Sequence, residues 1–178
     1  YINQKIIKFL LFLFCFNIFS SIAQTNEDVP LNNLAINEIP KPISPIIFED
    51  FSGNEVNLKK YNDKLIIINF WATWCAPCKK EMPSLDNLKS NKNFKNLIIL
   101  PINVGKENLN KSIKFYEKIG IKNLEIFFED SNKLANLLML RGIPTTILIN
   151  KDGDEFARIL GSVDFEDKKL VEWLKTYD

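Results

Sequence analysis

The stretch that decides the fold is residues 70–83, which read FWATWCAPCKKEMP. It follows an apolar run, residues 65–70 (LIIINF), of the kind that forms a buried strand. A charged pattern with helical spacing comes next, so the sulfurs of Cys75 and Cys78 are predicted at the N-terminus of a helix. Unpaired backbone N–H groups and the positive end of the helix dipole stabilise a thiolate there. The sequence therefore predicts a reactive dithiol with Cys75 as the nucleophile.

The spacing of the two cysteines favours redox chemistry over metal binding. Cys75 and Cys78 are close enough in sequence to close a small ring, and Pro77 stiffens the first helical turn, where its missing N–H costs nothing. A structural disulfide and half of a zinc site are the alternatives, because Cys-x-x-Cys alone does not separate them. A structural zinc site needs about four Cys or His ligands, whereas the chain has no histidine and one further cysteine, Cys15.

Composition excludes several classes of function. The chain has 178 residues, a formal net charge of +1 and no histidine. This length fits one globular domain plus an appendage, and the chain lacks the basic excess of a nucleic-acid-binding protein. The absence of histidine removes Cys-His nucleophilic catalysis and His-ligated metals. We expect no metal and no cofactor besides the Cys75–Cys78 pair, and a monomer that binds no nucleic acid.

The N-terminal segment has the pattern of an export signal. Lysines at positions 5 and 8 precede an apolar stretch, and Ser21 and Ala23 match a cleavage site after residue 23. Residues 1–23 are thus predicted to be a signal peptide or, if uncut, an N-terminal membrane anchor, although the stretch is shorter than the roughly 20 apolar residues of a spanning helix. Residues 24–44 are polar and proline-containing and are interpreted as a tether. The folded domain is predicted over residues 45–178.

Within that domain, strands alternate with helices. The patterns predict a β-hairpin at residues 46–58, a helix at 76–88, a strand at 97–104, a helix at 110–119, a strand at 124–128, a short helix from 131, a closing hairpin at 145–160 and a helix at 165–177. Such alternation with an antiparallel closing hairpin predicts an α/β fold, a mixed central sheet flanked by helices on both faces.

Three motifs carry a resemblance to a known family. They are the FWATWCAPC segment after a strand, Pro83 in the following helix, and Gly142-Ile143-Pro144-Thr145-Thr146 before the last hairpin. With them, residues 45–178 resemble the thioredoxin superfamily. The continuation KKEMP and an inserted strand-helix segment at residues 103–130 are similar to the exported TlpA/ResA-type thiol-disulfide oxidoreductases, most of all to TlpA.

The resemblance implies roles for several residues. Cys75 would be the attacking thiol and Cys78 the resolving thiol. Pro144 would follow a cis peptide bond and face the dithiol, leaving the Ile143 backbone free to pair with an extended substrate. A strand entry that tolerates proline is the plain alternative for this dipeptide. The predicted substrate-binding residues are Trp74, Ala76, Pro77, Ile143 and Pro144.

Proton handling is predicted to differ from that of thioredoxin. Thioredoxin has a buried acid on the strand before the dithiol, where this chain has Asn69, which cannot accept a proton from Cys78. Glu81 lies one helical turn beyond Cys78, and the resemblance places an acid there too. We therefore expect Glu81 to be catalytic; a solvated carboxylate on the helix surface is the alternative.

The sequence thus predicts a thiol-disulfide oxidoreductase of the periplasm or cell envelope that reduces disulfides in client proteins. The resemblance implies copper-delivery proteins of cytochrome oxidase or apocytochrome c as clients, and a membrane dithiol donor that re-reduces the pair. A DsbA-like oxidant, or a non-catalytic Cu(I) or zinc carrier using the same cysteines, remains an alternative. A peroxiredoxin-like enzyme is disfavoured because its Thr-x-x-Cys pocket is missing.

Overall fold

The computed structural model describes residues 30–43, 45–129 and 131–178. The predicted signal or anchor at residues 1–23 and the first part of the tether lie outside these ranges. Among the residues described, no helix has the length and apolar character needed to cross a membrane.

The described residues build one mixed sheet of eight strands. The strands are β1 Leu34–Pro42, β2 Ile47–Asp50, β3 Glu55–Asn57, β4 Leu65–Trp71, β5 Leu97–Asn103, β6 Phe127–Phe128, β7 Thr145–Ile149 and β8 Asp154–Leu160. Their order across the sheet is β1-β8-β7-β4-β5-β6-β2-β3. Strands β4, β5 and β6 run parallel, and every other neighbouring pair is antiparallel. The predicted N-terminal hairpin is β2–β3, and the closing hairpin is β7–β8.

Helices cover both faces of this sheet, as predicted. They are α1 Ala76–Lys89, α2 Leu109–Ile119, α3 Lys133–Leu137 and α4 Lys168–Lys175. Leu65 and Ile67 of β4 point into a core shared with α1, α2 and α4, whereas Ile66 and Ile68 point into a second core shared with α3 and the β2–β3 hairpin. Strand β4 is buried on both faces because of this layering.

The prediction of a tether over residues 24–44 is wrong for its second half. Residues 34–42 form β1, which runs antiparallel to β8 at the edge of the sheet, with Leu34 opposite Ile159. The pairing is irregular between Ile36 and Lys41, and Pro40 lies in this irregular part. An edge strand tolerates proline and needs no apolar alternation, since most of β1 is exposed. The folded unit therefore begins by residue 34, before the predicted boundary at residue 45.

Two further elements are shorter than predicted because side chains capture their backbone N–H groups. The carboxylate of Asp86 in α1 accepts hydrogen bonds from the backbone N–H groups of residues 122–124, at 2.7 Å from Asn123 and 2.9 Å from Leu124. The N–H of Leu124 is therefore not available to the sheet, which Phe127–Phe128 joins. Helix α4 begins at Lys168, where Asp167 caps it, and the backbone N–H of Phe165 instead donates to Ser84 Oγ (3.0 Å).

Aromatic packing holds the inserted segment against the centre of the sheet. The ring of Trp71, at the end of β4, stacks on Phe115 of α2 with centroids 5.2 Å apart and contacts Tyr116 at 5.3 Å. Trp71 is fully buried by this contact. Helix α2 is thereby fixed beside the loop that leaves β4 and ends at Cys75, the N-cap residue of α1.

Candidate active site

Cys75 and Cys78 form a disulfide at the N-terminus of α1. Their sulfurs are 2.03 Å apart and their Cα atoms 5.3 Å apart. Cys75 is the N-cap residue of the helix, and its sulfur accepts a hydrogen bond from the backbone N–H of Cys78 at 3.2 Å. This N–H and the helix dipole both favour negative charge on Cys75 Sγ once the pair is reduced.

Both cysteines are buried, and of the two only Cys75 retains any exposed surface. Cys75 retains 4% of its surface and Cys78 none. Cys75 is also surrounded by exposed neighbours: Trp74 is 64% exposed, and Ala76 and Pro77 are exposed as well. A protein partner can therefore reach Cys75 across a surface formed by three of the predicted substrate-binding residues.

The other two predicted substrate-binding residues lie at the same end of the sheet. The peptide bond between Ile143 and Pro144 is cis, which confirms the geometry implied by the resemblance. Thr145, the next residue, pairs with Phe70 of β4, so Ile143 and Pro144 enter the sheet where β4 leaves it toward Cys75. Ile143 is half-buried and Pro144 is buried.

Glu81 is buried beneath the dithiol helix, so the alternative of a solvated surface carboxylate is wrong. It is 1% exposed, and its carboxylate accepts hydrogen bonds from Asn69 Nδ2 (2.8 Å) and from the backbone N–H of Val163 (3.1 Å). Burial raises the pKa of Glu81 to about 7, although these two hydrogen bonds oppose the rise. A carboxyl group that titrates near neutral pH, one helical turn from Cys78, can both accept and return a proton.

Asn69 and Thr146 complete this buried network, and sequence reasoning did not assign them to it. Asn69 Nδ2 also donates to Thr146 Oγ1 (3.0 Å), while within the described residues Asn69 Oδ1 has no hydrogen-bond partner. The two residues face each other across β4 and β7. The sequence signal was available: Asn69 is a polar residue inside an apolar buried strand, and such a residue needs partners.

The described part of the chain contains no group of three or more His, Cys, Asp or Glu side chains placed to hold a metal ion. Once reduced, the thiols of Cys75 and Cys78 are the pair with ligand chemistry suited to a soft ion such as Cu(I).

Comparison with known proteins identifies the family to which this site belongs. The AhpC/TSA family model matches residues 39–154. The thiol-disulfide oxidoreductase ResA of Geobacillus thermodenitrificans is 35% identical over 130 residues, which cover 72% of this chain and 74% of that protein. The chain belongs to the ResA-type thiol-disulfide oxidoreductases of the AhpC/TSA family. The recognition of a TlpA/ResA-type protein from its motifs is thereby confirmed, while the finer likeness to TlpA stays a prediction.

Solved structures agree with the fold of this oxidoreductase. A DsbF homologue from Corynebacterium diphtheriae superposes with a TM-score of 0.66 at 26% identity, covering 79% of this chain and 92% of that one. A thiol:disulfide interchange protein of the thioredoxin family from Chlorobium tepidum gives a TM-score of 0.63 at 22% identity, with coverages of 78% and 99%. The α/β thioredoxin-like fold predicted from the sequence is confirmed.

Proposed function

We propose that this oxidoreductase works as a reductant of client disulfides in the cell envelope. The observation that supports disulfide exchange by this pair is its asymmetry: Cys75 caps a helix N-terminus beside exposed Trp74, whereas Cys78 is fully buried. Cys75, which retains some exposed surface and whose thiolate is stabilised, is suited to attack, and the fully buried Cys78 is suited to resolution.

The reaction begins with the Cys75 thiolate attacking one sulfur of a client disulfide. A mixed disulfide forms, and the other client sulfur leaves as a thiolate, which takes up a proton. The Cys78 thiol then gives its proton to the Glu81 carboxylate and attacks Cys75 Sγ. The second client sulfur leaves with its electron pair, and the protonated Glu81 is the source of the proton that it needs. The client has gained two electrons, and the chain is left with the Cys75–Cys78 disulfide.

Recognition of clients would use the surface around the dithiol. Trp74, Ala76 and Pro77 are exposed on one side of Cys75, and Ile143 and Pro144 border the same end of the sheet. We propose that an extended client segment lies between these two groups and pairs with the backbone at Ile143. No cofactor beyond the cysteine pair is needed, because thiol-disulfide exchange moves electrons between sulfurs alone.

The direction of transfer, the clients and the location are parts of the same proposal. The export pattern of residues 1–23 supports a site outside the cytoplasm, and beyond residue 23 the chain contains no cysteine besides this pair. We propose disulfides in copper-delivery proteins for cytochrome oxidase or in apocytochrome c as clients, and a membrane dithiol as the electron donor.

A fusion of residues 1–44 to a reporter that is active only outside the cytoplasm tests the location. An active reporter is expected, and an inactive reporter contradicts a location outside the cytoplasm.

Trapping of the mixed disulfide tests the mechanism. The Cys78→Ser variant, reduced and mixed with insulin as a protein disulfide, is expected to accumulate a covalent complex through Cys75 that dithiothreitol releases. The matched Cys75→Ser variant is expected to accumulate none, because Cys78 is buried. Equal trapping by both variants, or by neither, contradicts the assigned roles. Tight stoichiometric Cu(I) binding by a reduced wild-type chain that exchanges no disulfide would instead support a carrier.

A further inference from the structure

The dithiol loop, residues 72–75, runs from the end of β4 to Cys75 at the start of α1 and is joined to the loop that follows β5. The backbone N–H of Val104 donates to the carbonyl of Trp71 at 3.0 Å, immediately beyond the two parallel strands. Gly105 permits this approach, since a Cβ at that position would come within 2.8 Å of Ala72 Cβ and 2.9 Å of Glu107 Oε2. The inserted segment therefore touches the dithiol loop only a few residues before Cys75.

Glu107 is the side chain that crosses between these loops. Its Oε2 accepts a hydrogen bond from the backbone N–H of Thr73 at 2.8 Å, and its Oε1 accepts one from the hydroxyl of Thr73. Asn103 Nδ2 donates to Oε2 at 3.0 Å, and Lys111 Nζ lies 2.5 Å from Oε1. Both carboxylate oxygens are thus shared between the dithiol loop and the inserted segment.

The surroundings keep Glu107 ionised. Burial alone would raise its pKa, but hydrogen bonds from Lys111, Thr73 and Asn103 outweigh burial and lower the pKa to about 2. Unlike Glu81, this carboxylate is an acceptor at every pH at which thiol exchange proceeds. Its contribution to the reaction is therefore the geometry that it imposes.

Thr73 lies in the turn that presents the reactive sulfur. The turn is closed by the backbone N–H of Cys75, which donates to the carbonyl of Ala72 at 3.1 Å. Within it, Thr73 is held by Glu107, while Trp74 is 64% exposed. The side of the turn that faces the protein is fixed, and the side that faces a client is free.

We infer that Glu107 is a positioning residue for disulfide exchange: by holding Thr73, it fixes the turn that places Cys75 at the helix N-terminus and Trp74 against the client. This inference rests on the proposed reductase function. Without Glu107, the turn could move, and Cys75 Sγ would spend less time in line with the helix N–H groups that stabilise its thiolate. Both the reactivity of Cys75 and the reduction of clients would fall.

The test compares four variants of the full chain with wild type. Glu107→Ala removes all contacts of the carboxylate. Glu107→Gln keeps an oxygen for the Thr73 N–H and offers a donor to the Thr73 hydroxyl. Thr73→Val removes only the hydroxyl contact. Lys111→Met removes the ion pair, whose lysine side chain is 57% exposed, and keeps the contacts to Thr73. Each reduced variant is assayed for the rate of Cys75 alkylation by iodoacetamide against pH and for kcat/KM of insulin reduction.

For Glu107→Ala we expect slower alkylation of Cys75 at pH 7, and a kcat/KM about tenfold lower, as small displacements of reacting groups produce. Glu107→Gln is expected to restore both rates to within about twofold of wild type, since it keeps the hydrogen bonds that position the turn. Thr73→Val should show a smaller loss, and Lys111→Met none.

Wild-type rates in Glu107→Ala would overturn the inference, as would a loss in Glu107→Gln as large as in Glu107→Ala. If Glu107→Ala does not fold, Thr73→Val is the deciding variant. Alkylation and reduction rates of Thr73→Val that equal those of Lys111→Met would then overturn the inference. A failure of the proposed function would be seen separately, as a wild-type chain that reduces no protein disulfide. The alkylation rates of the variants would still report whether Glu107 positions Cys75.

Discussion

At the scale of single residues, two buried carboxylates near one dithiol differ in protonation because their partners differ. Glu81 has two neutral hydrogen-bond donors, and burial prevails, so its pKa rises to about 7. Glu107 has a lysine beside it and the hydroxyl and N–H of Thr73, so its pKa falls to about 2. One group can transfer protons at neutral pH, and the other can only accept hydrogen bonds.

Replacing Glu81 tests its role in proton transfer. In Glu81→Gln the proton acceptor for Cys78 is gone, so we expect release of the client from the mixed disulfide to slow by about a hundredfold. The step near pH 7 in the wild-type pH-rate profile should also disappear. Stopped-flow measurement of client release against pH checks both. Glu172→Gln, a change at an exposed carboxylate of α4, is the control; an unchanged profile in Glu81→Gln would contradict the assigned role.

The hydrogen bond from Asn69 sets how far the pKa of Glu81 rises. This bond favours the ionised carboxylate, so Asn69→Ala should raise the pKa of Glu81 further above 7 and shift the pH-rate midpoint upward. Thr146→Val removes the bond from Asn69 to Thr146 but keeps the one to Glu81, and it should shift the midpoint less. The pH-rate midpoints of wild type, Thr146→Val and Asn69→Ala are compared. A downward shift in Asn69→Ala would contradict the role of this hydrogen bond in holding the pKa of Glu81 down.

At the scale of elements, β1 changes the boundary of the domain. Leu34 is 8% exposed and packs in the same core as Cys75 and Cys78, whereas Ile39 in the same strand is 79% exposed. We expect Leu34→Ala to lower the free energy of unfolding by about 2 kcal/mol or more, as truncation of buried leucines does. Ile39→Ala should change it by less than about 0.5 kcal/mol. Urea unfolding of both variants checks this pair, and equal, small effects would mean that β1 is not part of the folded unit.

The elements also show what the sequence could and could not predict. Strand β4 was predictable because it is buried on both faces and is therefore apolar almost throughout. Helix α1 was predictable because it is buried on one face, which gives its apolar residues a helical spacing. Strand β1 was not, because an exposed edge strand is held by backbone pairing, which leaves little trace in the side chains. Glu107 was missed for a related reason: its partner Thr73 is 34 residues away, and only the adjacency of β4 and β5 brings them together. Its signal would have been its position just beyond a buried strand parallel to the one that precedes the dithiol.

At the scale of the whole molecule, the raised pKa of Glu81 makes stability depend on pH. The unfolded chain releases this proton near pH 4.5 and the folded chain near pH 7, so the folded state binds more protons between these values. The stability that this group contributes is therefore present below pH 4.5 and is lost as pH rises to about 7, by about 3 kcal/mol in all. The lowered pKa of Glu107 has the opposite effect: the stability that this group contributes is present above pH 4.5 and is lost as the pH falls to about 2.

Comparison with Glu81→Gln isolates this contribution in the disulfide-bonded chain. The difference in unfolding free energy between the variant and wild type should move in favour of the variant as pH rises from 4.5 to 8. Urea titrations at several pH values measure it. A difference that stays constant over this range would show that the pKa of Glu81 is not raised in the folded state.

Hydrogen bonds connect the inserted segment to both parts of the dithiol site. Asp86 of α1 accepts hydrogen bonds from residues 122–124, and Glu107, in the loop after β5, accepts them from Thr73. The inserted segment therefore contacts both the turn that precedes Cys75 and the helix that follows it. The surface around Trp74 remains open on the other side. A dithiol that is held on one side and exposed to partners on the other suits a protein that exchanges disulfides with other proteins.

The Cys75–Cys78 pair is proposed to give electrons to its clients. A glutathione-buffered redox titration of the chain, followed by the fraction of alkylated Cys75, tests it most directly. We expect a midpoint near that of thioredoxin, about −270 mV. A midpoint near about −120 mV, that of the oxidant DsbA, would contradict it and reverse the direction of electron flow.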